Sequence, residues 1–143
     1  MKQTESSVSR ELAQWVGALQ YTDLNAQIIQ DAKRYLLDAL AVAWAGSRAI
    51  GTEPVHAWVT AQGGKPESRV WLTGEYLPAT AAAFINGIYA AALDFDSVHD
   101  QATAHPDIVI IPALLALADR QPMHGKDFSQ TLFHTSHNAL LLF

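Results

Sequence analysis

Hydrophobic residues recur every three or four positions along most of this chain, which is the spacing of helices that bury one face. In the first half the pattern predicts three helices: Val8–Leu19, Leu24 to about Ala45, and one that begins at Thr52-Glu53-Pro54 and stops at Gly63-Gly64. Thr22-Asp23 are expected to cap the second helix, and Gly46 to end it. The first half of the chain is therefore expected to be helical.

The second half continues the helical pattern after one short extended segment. Val70-Trp71-Leu72 is brief and β-prone, so it is predicted as an extended connection. Three more helices are expected in Ala79–Leu93, in Ile108–Ala118 and from Phe128 onward. Pro112 is interpreted as the start of the second of these, since proline fits a first helical turn. The prediction is an all-α fold of about six helices.

Three of these stretches are apolar on nearly every side. Leu36–Ala45 carries one charge, and neither Ala79–Leu93 nor Ile108–Ala118 carries any. A helix of this kind must be buried all round. Because so short a chain has little amphipathic helix to cover three of them, we expect further chain or a partner subunit to supply the cover.

Composition excludes several classes of function. The net charge is −5, and the nine Lys and Arg form no basic run, which argues against nucleic-acid binding. The lack of cysteine excludes disulfides and thiolate chemistry within these residues. No apolar run reaches the ~18–20 residues that span a bilayer, and residues 1–6 do not resemble a secretory signal. We therefore expect a cytoplasmic protein without membrane contact.

Candidate chemistry concentrates in Asp94–Asp107, which holds four Asp and two His in fourteen residues. A carboxylate beside an imidazole can fix its tautomer, as general acid–base catalysis needs. The same residue types also serve as helix caps and turn residues. A third hypothesis is a metal-dependent hydrolase whose ligands would be Asp94, Asp96, His99 and His105, although no His-Glu-x-x-His pair supports it. The residues alone leave these alternatives open.

Several separated features of this chain occur in the order found in one known family. They are Ala32-Lys33-Arg34, Leu36-Leu37-Asp38, Gly46, Asn86-Gly87, Leu93-Asp94-Phe95-Asp96, His99, His105-Pro106 and Pro112–Ala118. Over roughly residues 8–133 the chain resembles the MmgE/PrpD family, which includes 2-methylcitrate dehydratase, cis-aconitate decarboxylase and iminodisuccinate epimerase.

The resemblance implies a helical domain joined to a smaller α/β domain, and a dimer that forms through apolar helices. It implies chemistry on small di- or tricarboxylates through a carbanion-like centre, with no obligatory metal or organic cofactor. By this resemblance residues 1–143 form a single, partial helical domain, and the α/β domain is missing.

Site residues can be carried over at four positions. The resemblance implies catalytic roles for Asp94, which would orient and polarise the site, and for His105, which would transfer a proton or hydrogen-bond a substrate carboxylate. It implies substrate binding by Asp96 and His99. At residues 97–98 the family often has Asp-Thr where this chain has Ser97-Val98, so a hydroxyl that could hold substrate is absent.

The last residues depart from the family. The stretch 134–143 does not resemble the expected continuation and is interpreted as the product of a truncation or frameshift. The cationic groups that a polycarboxylate needs would then lie beyond the chain. We expect the N-terminal part of a lyase that is inactive alone; the alternative is a non-enzymatic helical remnant or interaction module.

Overall fold

The computed structural model describes residues 7–100 and 103–141, with side chains as far as residue 135. Six helices occupy most of these residues: α1 Val8–Ala18, α2 Ala26–Gly46, α3 Thr52–Ala61, α4 Ala79–Ala91, α5 Asp107–Arg120 and α6 Gly125–Leu141. One antiparallel hairpin joins β1, Ser68–Arg69, to β2, Tyr76–Leu77. The all-α prediction is confirmed. No helix in this part of the chain combines the length and hydropathy that crossing a bilayer requires.

The start of α2 differs from the prediction. Asn25 is the capping residue, and its Oδ1 accepts the backbone N–H of Ile28 at 2.9 Å. Asp23 instead accepts the backbone N–H of Gln20 at 2.8 Å, within a 3₁₀ turn at Tyr21–Asp23. The prediction of Thr22-Asp23 as the cap was wrong because the chain offers several capping residues in succession, and the one nearest the apolar run caps the helix.

Pro112 lies inside α5 rather than at its start. The helix begins at Asp107, and Pro112 is buried in its second turn. A proline cannot donate a hydrogen bond to the carbonyl four residues earlier, which here belongs to Ile108. A Cβ added at Gly87 would lie 3.2 Å from this carbonyl oxygen, so α4 and α5 approach closely there. The last helix also starts earlier than predicted, at Gly125 instead of Phe128.

The hairpin replaces the predicted extended connection at residues 70–72, which lie in the turn between its strands. Asn86 of α4 is buried and holds this turn: its Oδ1 accepts the Trp71 backbone N–H at 2.9 Å, and its Nδ2 donates to the Arg69 carbonyl at 3.1 Å. On the other side, the buried Ser68 hydroxyl donates to the Ala116 carbonyl of α5 at 2.6 Å. The hairpin is therefore fastened to both α4 and α5.

Helix α4 is the centre of the packing. Its buried face, which includes Ile85 and Tyr89, joins α2, α3 and the hairpin in one hydrophobic cluster. Gly46 brings α2 against it so closely that an added Cβ would lie 2.0 Å from the Tyr89 carbonyl oxygen. A second cluster joins α5 to α2 and α6.

Large apolar side chains nevertheless remain exposed on several helices. They include Leu37, Trp44, Trp58, Phe84, Val109 and Leu117, each at least 48% exposed. Cover of these side chains by further chain or by a partner subunit stays a prediction.

Candidate functional site

The acidic and histidine-rich segment forms the loop between α4 and α5. Asp94 adopts a left-handed backbone, with φ +54°, and its N–H donates to the Ala91 carbonyl at the end of α4. Among non-glycine residues Asp tolerates this conformation well. Farther along, the His99 N–H donates to the Ala104 carbonyl at 2.9 Å, which closes the loop on itself. Both ends of the loop are thus fixed by packed helices.

Asp96 and His105 form a pair at the base of this loop. The Asp96 side chain is only 2% exposed, and its Oδ2 lies 2.6 Å from His105 Nδ1. A carboxylate oxygen accepts, so Nδ1 must carry a proton. In the neutral imidazole, Nε2 is then the unprotonated nitrogen. The His105 side chain is 37% exposed, so Asp96 fixes a tautomer on a ring that molecules from solution can reach.

The structure brings three of the four predicted site residues together. One oxygen of Asp94, one of Asp96 and a ring nitrogen of His105 lie within 4.8 Å of one another, with Asp94 exposed. His99 belongs to the same loop, where it is half-buried at the bridge to Ala104, but it is not part of this cluster. Val98, where the hydroxyl of the family motif is absent, is 51% exposed.

Asp107 and Asp38 enlarge this acidic group, and of the two only Asp38 lies outside the segment Asp94–Asp107 that the sequence predicts. Asp107 begins α5, is 6% exposed and accepts a hydrogen bond from the Ser97 hydroxyl. Burial raises its pKa, the Ser97 hydrogen bond opposes the rise, and the carboxylates of Asp38 and Asp96 add to it. Asp38 is the only charge in the apolar second half of α2. This isolated charge was the sequence signal that could have identified Asp38 as a candidate.

Asp94 and Asp96 lie beside the His105 imidazole, and Asp107 and Asp38 add two more carboxylates to the same acidic group. Among the described residues, the only ion pair that any of them makes is that of Asp96 with His105. Such a group repels a polycarboxylate and attracts a cation. Within this group, His105 Nε2 can accept a proton from a bound molecule or return one to it. Oxygen and imidazole donors also suit a divalent metal, although a metal on Asp96 would compete with its bond to His105.

Comparison with known proteins finds one family. The sequence model of the MmgE/PrpD N-terminal domain matches residues 10–134. A cis-aconitate decarboxylase of Mus musculus is 34% identical over 124 residues, which are 84% of this chain and 25% of that protein. The cis-aconitate decarboxylase-like protein oryM of Aspergillus oryzae is 35% identical over 120 residues, 82% of this chain and 24% of that protein.

A cis-aconitate decarboxylase of Aspergillus terreus is 29% identical over 126 residues, which are 87% of this chain and 26% of that protein. The chain thus spans about a quarter of the length of these relatives.

Proposed function

We propose that this chain, which belongs to the MmgE/PrpD family, supplies Asp94, Asp96 and His105 to the active site of a lyase for small di- or tricarboxylates. The observation that carries the proposal is the buried Asp96 carboxylate on His105 Nδ1. The names of the relatives favour decarboxylation of cis-aconitate over dehydration of 2-methylcitrate.

In this proposal His105 is the proton-transfer residue. When the carboxylate on the methylene carbon of cis-aconitate leaves as carbon dioxide, the electron pair of the broken carbon–carbon bond shifts through the adjacent double bond to a carbon next to another carboxylate. The imidazolium form of His105 then gives its Nε2 proton to the developing carbanion. In a dehydratase the neutral Nε2 instead accepts a proton from that carbon.

The two acidic residues have different roles. Asp96, to which the resemblance gives substrate binding, is a positioning residue in this proposal, because its buried carboxylate bonds His105 Nδ1 and leaves Nε2 for the substrate. Asp94 is exposed in the cluster and would orient and polarise the substrate.

Charge makes turnover by residues 1–143 alone unfavourable. The four carboxylates oppose a polyanion, so the cationic groups that bind substrate must come from residues outside the cluster. We expect no release of carbon dioxide from cis-aconitate by the chain alone, measured against a His105→Ala control. Turnover above that control would contradict this part of the proposal.

The role of the segment can be tested in a complete relative. Residues 10–134 replace the matching segment of the Mus musculus enzyme, and decarboxylation of cis-aconitate is measured. We expect activity that His105→Ala abolishes, that Asp96→Ala lowers through kcat, and that Val98→Thr raises. A folded chimera whose activity is unchanged by His105→Ala would refute the proposed role. Incubation of the same chimera with 2-methylcitrate tests whether the segment instead supports dehydration.

The exposed apolar side chains favour self-association in addition. Leu37, Phe84 and Val109 are each half or more exposed, and exposed apolar surface of this kind favours contact with another chain. We expect the chain to form dimers, or to bind a dye specific for hydrophobic patches, as an interaction module would. Light scattering that shows a monomer, together with no dye binding, would contradict this.

A metal-dependent hydrolase is a second candidate, because Asp94, Asp96 and His105 place three donor atoms within 4.8 Å. Calorimetric titration with Zn²⁺ and Mn²⁺ tests it. Stoichiometric binding that His105→Ala removes would favour this candidate. Absence of binding would reject it in favour of the lyase proposal.

A further inference from the structure

A second polar cluster lies apart from the loop at residues 94–106. His56 of α3 stands between Glu75, which ends the hairpin turn, and Tyr89 of α4. Its Nε2 lies 2.7 Å from Glu75 Oε2, and its Nδ1 lies 2.8 Å from the Tyr89 hydroxyl. The carboxylate must accept, so Nε2–H donates to Glu75, and in the neutral imidazole the tyrosine hydroxyl then donates to Nδ1. Burial raises the pKa of Tyr89, which keeps that hydroxyl protonated.

His56 and Tyr89 of this cluster line one wall of a cavity of about 610 Å³. The volume lies within the ~300–1,000 Å³ of typical small-molecule sites. The end of α2, the start of α3 and the hairpin turn line the cavity together with His56 and Tyr89. None of its lining residues belongs to the Asp94 cluster, so the two sites are separate on the surface of the molecule.

The charged residues of the cavity have opposite signs. Arg48 and Glu53 both line it with exposed side chains, and the described residues show no ion pair between them or with any other group. A ligand that carries only a carboxylate would be attracted to Arg48 and repelled by Glu53. A ligand that carries only an ammonium group would be attracted to Glu53 and repelled by Arg48. A molecule that carries both charges can satisfy the two side chains at once.

The rest of the lining is suited to an apolar group. Trp44 and Leu72 line the cavity and are 62% and 54% exposed, so their apolar surface is open to a ligand. Leu72 also adopts a left-handed backbone, with φ +71°. This conformation is strained for a non-glycine residue. Strain of this kind clusters at binding sites, because the surrounding structure must hold the residue in place.

We propose that this cavity binds a zwitterionic α-amino acid with an apolar or aromatic side chain. Arg48 bonds its carboxylate, Glu53 bonds its ammonium group, and Trp44 and Leu72 cover its side chain. His56 and Tyr89 form its polar wall, and the hydrogen bonds of the Glu75–His56–Tyr89 cluster hold both side chains in place.

The test is a titration of the full chain with L-phenylalanine at millimolar concentrations, followed by NMR shifts of backbone amides and tryptophan indoles. Two analogues that each lack one charge, phenethylamine and 3-phenylpropanoate, are titrated in parallel. We expect shifts at the cavity residues with L-phenylalanine and at least tenfold weaker binding of both analogues, about 1.4 kcal/mol each.

Charge-removing variants test the two contacts separately. Arg48→Met and Glu53→Gln should each weaken binding of L-phenylalanine at least tenfold. Arg10→Met and Glu11→Gln, which remove the same charges from the exposed part of α1, should not change it. Circular dichroism confirms that each variant is folded. No shifts with L-phenylalanine, analogues that bind as well as it does, or unchanged affinity in both cavity variants would each overturn the proposal.

Discussion

The contact of α2 with α4 at Gly46 gives a sharp prediction about stability. In Gly46→Ala the new Cβ would stand 2.0 Å from the Tyr89 carbonyl oxygen, 3.1 Å from its carbon and 3.3 Å from the Ala92 Cβ. Ordinary contact begins near 3.4 Å. The obstacle is backbone of the central helix, so it cannot rotate away as a side chain would. The two helices must separate by roughly 1 Å at this point.

The magnitude follows from two opposing effects. Overpacking of a close contact costs about 1–3 kcal/mol, and a clash with backbone belongs at the upper end. The better helix propensity of alanine returns at most about 1 kcal/mol, and less at the last residue of a helix. We expect a net loss of about 2 kcal/mol, which for a chain of this size lowers Tm by roughly 6 °C.

The assay is thermal unfolding followed by circular dichroism, with Gly17→Ala as the matched control. Gly17 also lies in a helix, but a Cβ there would meet nothing within 4 Å. The control should therefore keep or slightly raise Tm, by the equivalent of up to about 1 kcal/mol. If Gly46→Ala also kept or raised Tm, the close packing of α2 on α4 would be refuted.

Two further predictions concern pH, since burial shifts the pKa of two groups in opposite directions. Burial lowers the pKa of His134 from 6.5, and its Nε2 lacks a partner among the described residues, so stability should fall as pH falls below 6.5. His134→Phe should reduce this loss, measured as the difference between the free energies of unfolding in urea at about pH 7.5 and about pH 5.5. An unchanged difference would contradict the burial of His134. Burial raises the pKa of Asp107 from 3.8, so the stability that its protonated form gives is present below 3.8 and is lost as pH rises through the raised value. Asp107→Asn, which can still accept from Ser97, should be more stable than the native chain at neutral pH and lose that advantage in acid; greater destabilisation at neutral pH would contradict this.

Periodicity predicted the helices well because each one buries a face at helical spacing. It placed the ends less well, since local chemistry competes there: Asn25 caps α2 in place of Thr22-Asp23, and Pro112 is accommodated inside α5. The hairpin could not be predicted from its four strand residues. It depends on Asn86 and Ser68, whose hydrogen bonds reach across 15 or more positions in the chain.

The candidate site was partly predictable for a similar reason. Asp94, Asp96 and His105 lie within one short loop, so their closeness follows from the sequence. The direction of the Asp96–His105 hydrogen bond does not, because it depends on how the loop folds back at His99 and Ala104. Asp38 is distant in sequence and joins the acidic group only through the packing of α2.

Measurement of the His105 tautomer is the most direct test of whether Asp96 holds this histidine as proposed. Long-range ¹H–¹⁵N correlation spectra of the neutral side chain distinguish a proton on Nδ1 from one on Nε2, and His105→Gln assigns the signals. We expect Nδ1 to carry the proton in the native chain, and Asp96→Ala to shift the proton toward Nε2. A native ring protonated on Nε2, with no change in Asp96→Ala, would show that Asp96 does not hold the histidine.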